Sequence, residues 1–106
     1  MKTIWKFELT PNRLQSVPIP FGGRILTIQT KKDNAPLLWV LVDPDMPPQD
    51  RYLGIYTTNT AIPDDPGQYI GTFQILDGSL EFHVFEMDGP PPNAQTVPEF
   101  PEMPSP

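Results

Sequence analysis

The stretch YIGTFQILDGSLEFHVFE, residues 69–86, decides how this chain folds. Two alternating runs flank Asp77-Gly78, and Asp-Gly is a strong signal for a two-residue type I′ hairpin loop. With those residues as the loop, Leu76 faces Ser79. Stepping back from the turn, Ile75 faces Leu80, Gln74 faces Glu81, Phe73 faces Phe82 and Thr72 faces His83. Gly71 then faces Val84, Ile70 faces Phe85 and Tyr69 faces Glu86. One face therefore carries Ile75, Leu80, Phe73, Phe82, Gly71 and Val84, which reads as core. The other carries Gln74, Glu81, Thr72 and His83, with Ile70 and Phe85 further from the turn. Side chains alternate with period two, so a slip of one residue would exchange the faces.

The rest of the chain reads in the same way. TIWKFEL places Trp5, Phe7 and Leu9 on one face and Ile4, Lys6 and Glu8 on the other. RILTIQT sets Leu26 and Ile28 against Ile25, Thr27 and Gln29. LLWVLVD, residues 37–43, is apolar on both faces, as a central covered strand is, and predicts a buried Trp39. RYLGIYTT continues the pattern from Arg51, and Gln15–Val17 predicts an edge strand ended by Pro18 and Pro20. Loops are expected at residues 32–34, 43–50 and 61–68, with a flexible corner at Phe21-Gly22-Gly23. No window shows sustained helical periodicity. The expected fold is all-β: a small antiparallel meander of six or seven strands forming a sandwich or open barrel over residues 1–87.

Length and composition narrow the function classes. The chain has 106 residues, enough for one domain. It has no cysteine, which excludes disulfides and thiolate metal sites. No segment approaches the ~20 apolar residues of a membrane span, and MKTIWKFELT has no apolar signal-peptide core. A cytoplasmic protein with no membrane partner is expected. With 13 acidic against 7 basic residues the net charge is −6, a poor basis for a DNA or RNA groove. A small phosphorylated ligand is compatible, because one arginine and a few backbone amides hold a phosphate. Seven of the 16 prolines lie in the last 19 residues, which carry three acids and no base. Residues 88–106 are expected to form an extended tail, with Val97, Phe100 and Met103 recurring along one side of a polyproline II helix.

The candidate chemistry is thin. His83 is the sole histidine, no GxSxG is present, and Ser16, Ser79 and Ser105 lie in weak contexts. Asp43, Asp45 and Asp50 lack EF-hand spacing and are split by prolines, so a solvated loop is favoured over a metal site. A non-catalytic protein needing no cofactor is expected. The hairpin's polar face is either a solvated sheet surface or, because it carries Ile70 and Phe85, a covered one. Covering by a second subunit would make Ile70, Thr72, His83 and Phe85 an interface and the protein a homo-oligomer.

MKTIWKFEL, LLWVLVDP, IPDDPGQYIGTFQ and LEFHVFE, in that order over residues 1–86, together resemble a family of short β-rich proteins of phage and prophage genomes. The chain departs from it before IPDDPG. A Gly-Thr-Gly-His-Pro-like stretch of the family corresponds to Thr57, Thr58, Asn59, Thr60 and Ala61 here, so roles of that histidine and those glycines do not carry over. Small β-rich phage proteins without catalytic groups include sponges, oligomers that sequester nucleotide signals of bacterial immunity. The resemblance implies a similar role in the host cytoplasm. Arg24 and Arg51 would meet phosphates, Tyr52 or Tyr56 would stack on a base, and Thr58, Asn59 and Thr60 would read polar edges. The alternatives are a virion accessory piece and an inhibitor that binds a host protein.

Overall fold

The computed structural model describes residues 1–31 and 34–90. The tail from residue 91 on, including Val97, Phe100 and Met103, lies outside the described residues. Seven strands form: β1 (Thr3–Glu8), β2 (Leu14–Pro20), β3 (Arg24–Thr30), β4 (Pro36–Val42), β5 (Pro48–Thr57), β6 (Gln68–Ile75) and β7 (Leu80–Met87). All pairings are antiparallel, in a three-stranded sheet β1-β4-β3 and a four-stranded sheet β2-β5-β7-β6. The sheets pack as the expected sandwich around Ile28, Leu38, Val40 and Val42 from one and Val17, Ile19, Leu53, Ile55, Phe73 and Val84 from the other. Only β3–β4 and β6–β7 join neighbours in both sequence and sheet. The remaining links cross between the sheets or pass over β7.

Turn chemistry fixes the crossings. At the β2–β3 corner the Gly23 N–H donates to Pro20 O at 2.9 Å and Gly22 has φ 80°, the left-handed position of a type II turn. A Cβ on Gly23 would lie 2.5 Å from Ile19 Cγ2, so the corner is seated on the core only because that side chain is absent. After β4 the Asp43 carboxylate accepts from the Asp45 N–H at 3.1 Å and starts the return to the second sheet.

The β6–β7 register is the one expected, but the loop is wider than two residues: the strands stop at Ile75 and Leu80. Leu76 (φ 52°), Asp77 (φ 55°, ψ 34°) and Gly78 (φ 87°) are all left-handed, and the Ser79 N–H donates to Leu76 O at 3.0 Å. Ile75 pairs with Leu80, and the register runs unbroken through Gly71 and Val84. There it departs from the simple alternation. Tyr69, not Ile70, stands opposite Phe85, and Gln68 stands opposite Glu86. Ile70 is the extra residue of a bulge and packs against the core. It is therefore not a neighbour of Phe85 on the polar face. A second bulge sits at Leu26, so that Ile25 and Ile28 share the core face while Leu26 is 42% exposed, correcting the expected pairing of Leu26 with Ile28. The edges of β3 and β6 run side by side without a ladder.

β4 is the central strand of its sheet, but its fully buried residues are Leu38, Val40 and Val42. Trp39 lies on the outward face, partly buried, opposite Lys6 and Thr27, with Lys6 Nζ 5.2 Å from its ring centre. Among the described residues its buried indole N–H has no acceptor. An unmet buried donor costs on the order of 1–3 kcal/mol. Leu38→Ala is accordingly expected to destabilise the fold by roughly 2–5 kcal/mol in urea titrations. Trp39→Phe removes the unmet donor along with ring area, and is expected to cost less than about 1 kcal/mol. A larger loss in Trp39→Phe than in Leu38→Ala would place the indole, not the aliphatic row, at the centre of the core.

Candidate functional site

The outward face of the four-stranded sheet carries one continuous side-chain hydrogen-bond ribbon across β6, β7 and Thr58, the residue after β5. Tyr69 Oη and Thr72 Oγ1 are 2.6 Å apart, and Thr72 Oγ1 lies 2.9 Å from His83 Nδ1. His83 Nε2 lies 2.8 Å from Thr58 Oγ1, which lies 3.0 Å from Glu81 Oε1. Gln74 Nε2 donates to the other Glu81 oxygen at 3.1 Å. Proton counting orients the whole ribbon. A carboxylate only accepts, so the Thr58 hydroxyl donates to Glu81 and must accept from His83. The imidazole proton is therefore on Nε2. Nδ1 accepts from Thr72, and Thr72 accepts from Tyr69. Each donor polarises the next in the same direction, toward Glu81. Both His83 nitrogens are occupied within the chain.

Beside the ribbon lies an aromatic cluster. Tyr56 is only 2% exposed although it stands on the outward face. It lies down over Gly54, where a Cβ would come within 2.6 Å of its hydroxyl. Phe85 flanks it at 6.1 Å between ring centres, and the Arg13 guanidinium caps it at 4.9 Å. Arg13 is held there by donating to Ala61 O at 2.7 Å. Tyr69 meets Phe85 edge-on at 5.5 Å. Phe85 is thus partly buried and flanked by two tyrosines of its own chain.

A cleft of about 460 Å³ opens where the two bulges meet, between the β3 and β6 edges. Arg24, Leu26, Arg51, Gln68, Tyr69 and Glu86 are among its lining residues. At its base Arg51 grips Glu86 with two donors, Nε and Nη2, the latter at 3.0 Å from Oε1. Its Nη1 donates to Gly23 O at 2.8 Å. The hydrogen bond that Arg51 donates to Glu86 holds its guanidinium above the usual range, against the opposing effect of burial. Arg24 at the rim is exposed, and its side chain has no hydrogen bond or ion pair among the described residues. The Tyr69 ring on the opposite side is 55% exposed. Once Arg51 is neutralised by Glu86, the cleft holds one unpaired positive charge.

The residues singled out from the sequence separate into two groups. Arg24 and Arg51 share the cleft, and Tyr52 lines a neighbouring hollow with Arg51, Asp50 and Asp88. Thr58, Asn59 and Thr60 sit past the other end of β5. Thr58 is engaged by His83 and Glu81, Thr60 donates to Thr57 O at 2.7 Å, and Asn59 has φ 69° in the same turn. One small ligand does not span both groups, since Thr58 is seven residue steps along the chain from Arg51, roughly 23 Å. Tyr56 is too buried to stack on a base; Tyr69 presents the open ring instead. The signal for that exchange was Gly71, because a glycine inside a strand marks a bulge or a close backbone approach. Here its missing side chain leaves room for Ile28 Cγ2, 3.0 Å from where a Cβ would be.

A protein family described as a domain of unknown function, DUF7352, matches residues 1–95. The chain belongs to this family. Its span takes in all four motifs quoted above and the first residues of the proline-rich tail. No curated protein and no solved structure matches the chain. The DUF7352 description carries no activity, so function rests on the site chemistry.

The ribbon's orientation is open to direct measurement. Nitrogen chemical shifts of neutral His83 are expected to report the Nε2–H tautomer. Thr58→Val, which removes the acceptor, is expected to give a tautomer mixture without unfolding the sheet. A dominant Nδ1–H form in the parent chain would mean that the Thr58 hydroxyl donates to His83 and not to Glu81.

Proposed function

We propose that this protein is a non-catalytic binding protein that captures a small nucleotide with a phosphodiester group in the cleft between β3 and β6. The observation that carries the reading is the placement of an unpartnered Arg24 and an open Tyr69 ring on the same cleft. Arg24 would grip the phosphodiester through paired N–H donors. Tyr69 would stack under a base, and Gln68 would supply hydrogen bonds to a polar edge. The single uncompensated charge suits a monoanionic diester better than a polyphosphate. A protein that holds such a ligand without turning it over acts by sequestration. Together with the resemblance to phage proteins, this supports a role as an immune-evasion sponge for a cyclic nucleotide signal.

Titration calorimetry with cyclic di-AMP, cyclic AMP and ATP tests the reading. The cyclic diesters are expected to bind more tightly than ATP. Arg24→Ala is expected to weaken them roughly 10–100-fold, which corresponds to the ~1.5–3 kcal/mol of hydrogen bonds to a charged group. The substituted residue is exposed and unpaired, so the melting temperature should not move. Absence of binding by all three probes, or binding indifferent to Arg24→Ala, would sink the proposal.

A further inference from the structure

We propose that β1 is a docking edge for a second copy of this chain, pairing antiparallel with its own symmetry mate to join the two three-stranded sheets into one. The inference starts from which edges of the sandwich can still accept a strand. The β3 and β6 edges face each other and are both bulged. In β2 the Ile55 N–H donates to Arg13 O, so odd-numbered residues turn their backbone groups toward β5. Pro18 and Pro20 therefore lie at the outward positions, where the free edge has no N–H to offer. β1 has no such protection. The Leu9 N–H donates to Pro36 O on β4, so odd-numbered residues point inward and Ile4, Lys6 and Glu8 point their N–H and C=O groups out. Among the described residues nothing pairs with that edge. It has no bulge, contains no proline, and exposes Ile4 at 51% and Trp5 at 41%. Such an edge is a template for another strand. One free edge per copy gives a closed two-fold pair, not a fibre.

The register follows from parity and charge. Core-side residues Thr3, Trp5 and Phe7 must stay on one face, so odd residues oppose odd ones and even oppose even. Centring the two-fold on Lys6 would set two lysines against each other, which is unfavourable. Centring it on Phe7 would leave only the end of β1 overlapping. Centring it on Trp5 opposes the two Trp5 rings and sets Thr3 against Phe7. It also places Lys2 against Glu8, a pair of opposite charges, and lets each Ile4–Lys6 pair exchange both backbone hydrogen bonds. The tail is a poor competitor for this edge, because prolines at 90, 91, 92, 98, 101, 104 and 106 leave it without a run of donors as long as β1.

Sedimentation velocity on the full chain across the micromolar range is expected to show a monomer–dimer equilibrium. Lys6→Pro removes an outward N–H while leaving the ladder to β4 intact, so it is expected to keep the β-rich spectrum and lose the dimer. The chain has no cysteine, so Trp5→Cys is expected to form a disulfide-linked dimer on mild oxidation, while Ile4→Cys does not. A protein that stays monomeric throughout overturns the proposal. A dimer that survives Lys6→Pro, or one in which Ile4→Cys cross-links and Trp5→Cys does not, overturns it equally.

Discussion

The pairing of β6 with β7 sets the identity of both faces of the four-stranded sheet. β7 lies between β5 and β6, so its alternation is read by both neighbours at once. Val84 is fully buried and Phe82 packs against the core, while His83 and Phe85 look outward. A shift of one residue would bury a histidine and a glutamate in place of a valine and a phenylalanine, and burying ionisable groups without partners costs far more than the turn contributes. The Asp77–Gly78 turn holds the register at one end. At the other end Ile70 absorbs one residue and lets Tyr69 return to the outward face, where its hydroxyl completes the ribbon and its ring meets Phe85.

The Arg51–Glu86 pair does for the other end of the sheet what the turn does for the first. It ties β5 to β7 and, through Gly23 O, to the corner where the chain leaves β2 for β3. Both side chains are about one-fifth exposed. A pair so desolvated is held by its geometry: two donors meet two acceptors, and a third donor finds a carbonyl. Removing either partner would leave a charge without its counterpart beneath the cleft. The same contact neutralises Arg51 and leaves Arg24 as the unpaired cation on the cleft.

Much of this was legible from residue order. The strands, the turn at Asp77-Gly78 and the core face of the hairpin follow from local alternation and turn chemistry. What was not legible is non-local. Period-two reading assumes that each strand keeps its count, and the extra residues Leu26 and Ile70 break it. Gly71 was the visible hint, but a glycine is equally at home as a gap in a core face. Tyr56 read as an open stacking platform because nothing in its own strand shows that Gly54 clears a bed for its ring, or that Arg13 arrives from before β2 to cap it. The strand order, with β7 between β5 and β6, likewise depends on which apolar faces meet across the sandwich.

The charge layout around the cleft bears on what it admits. An overall charge of −6 opposes any anion, so affinity must come from short-range contacts after a weakly unfavourable approach. Next to the cleft, sharing Arg51, Gln68 and Glu86, is a second hollow lined by Asp50 and Asp88. A ligand with one compact anionic group at Arg24 stays clear of those carboxylates. A triphosphate long enough to cross from Arg24 past Arg51 would bring its outer charges against Asp50, Glu86 and Asp88. On the proposed function, discrimination between a diester and a polyphosphate would come from repulsion beside the cleft as much as from attraction within it. A cleft with a single unpaired arginine, in a chain that is otherwise acidic, fits the proposed diester better than a more highly charged anion.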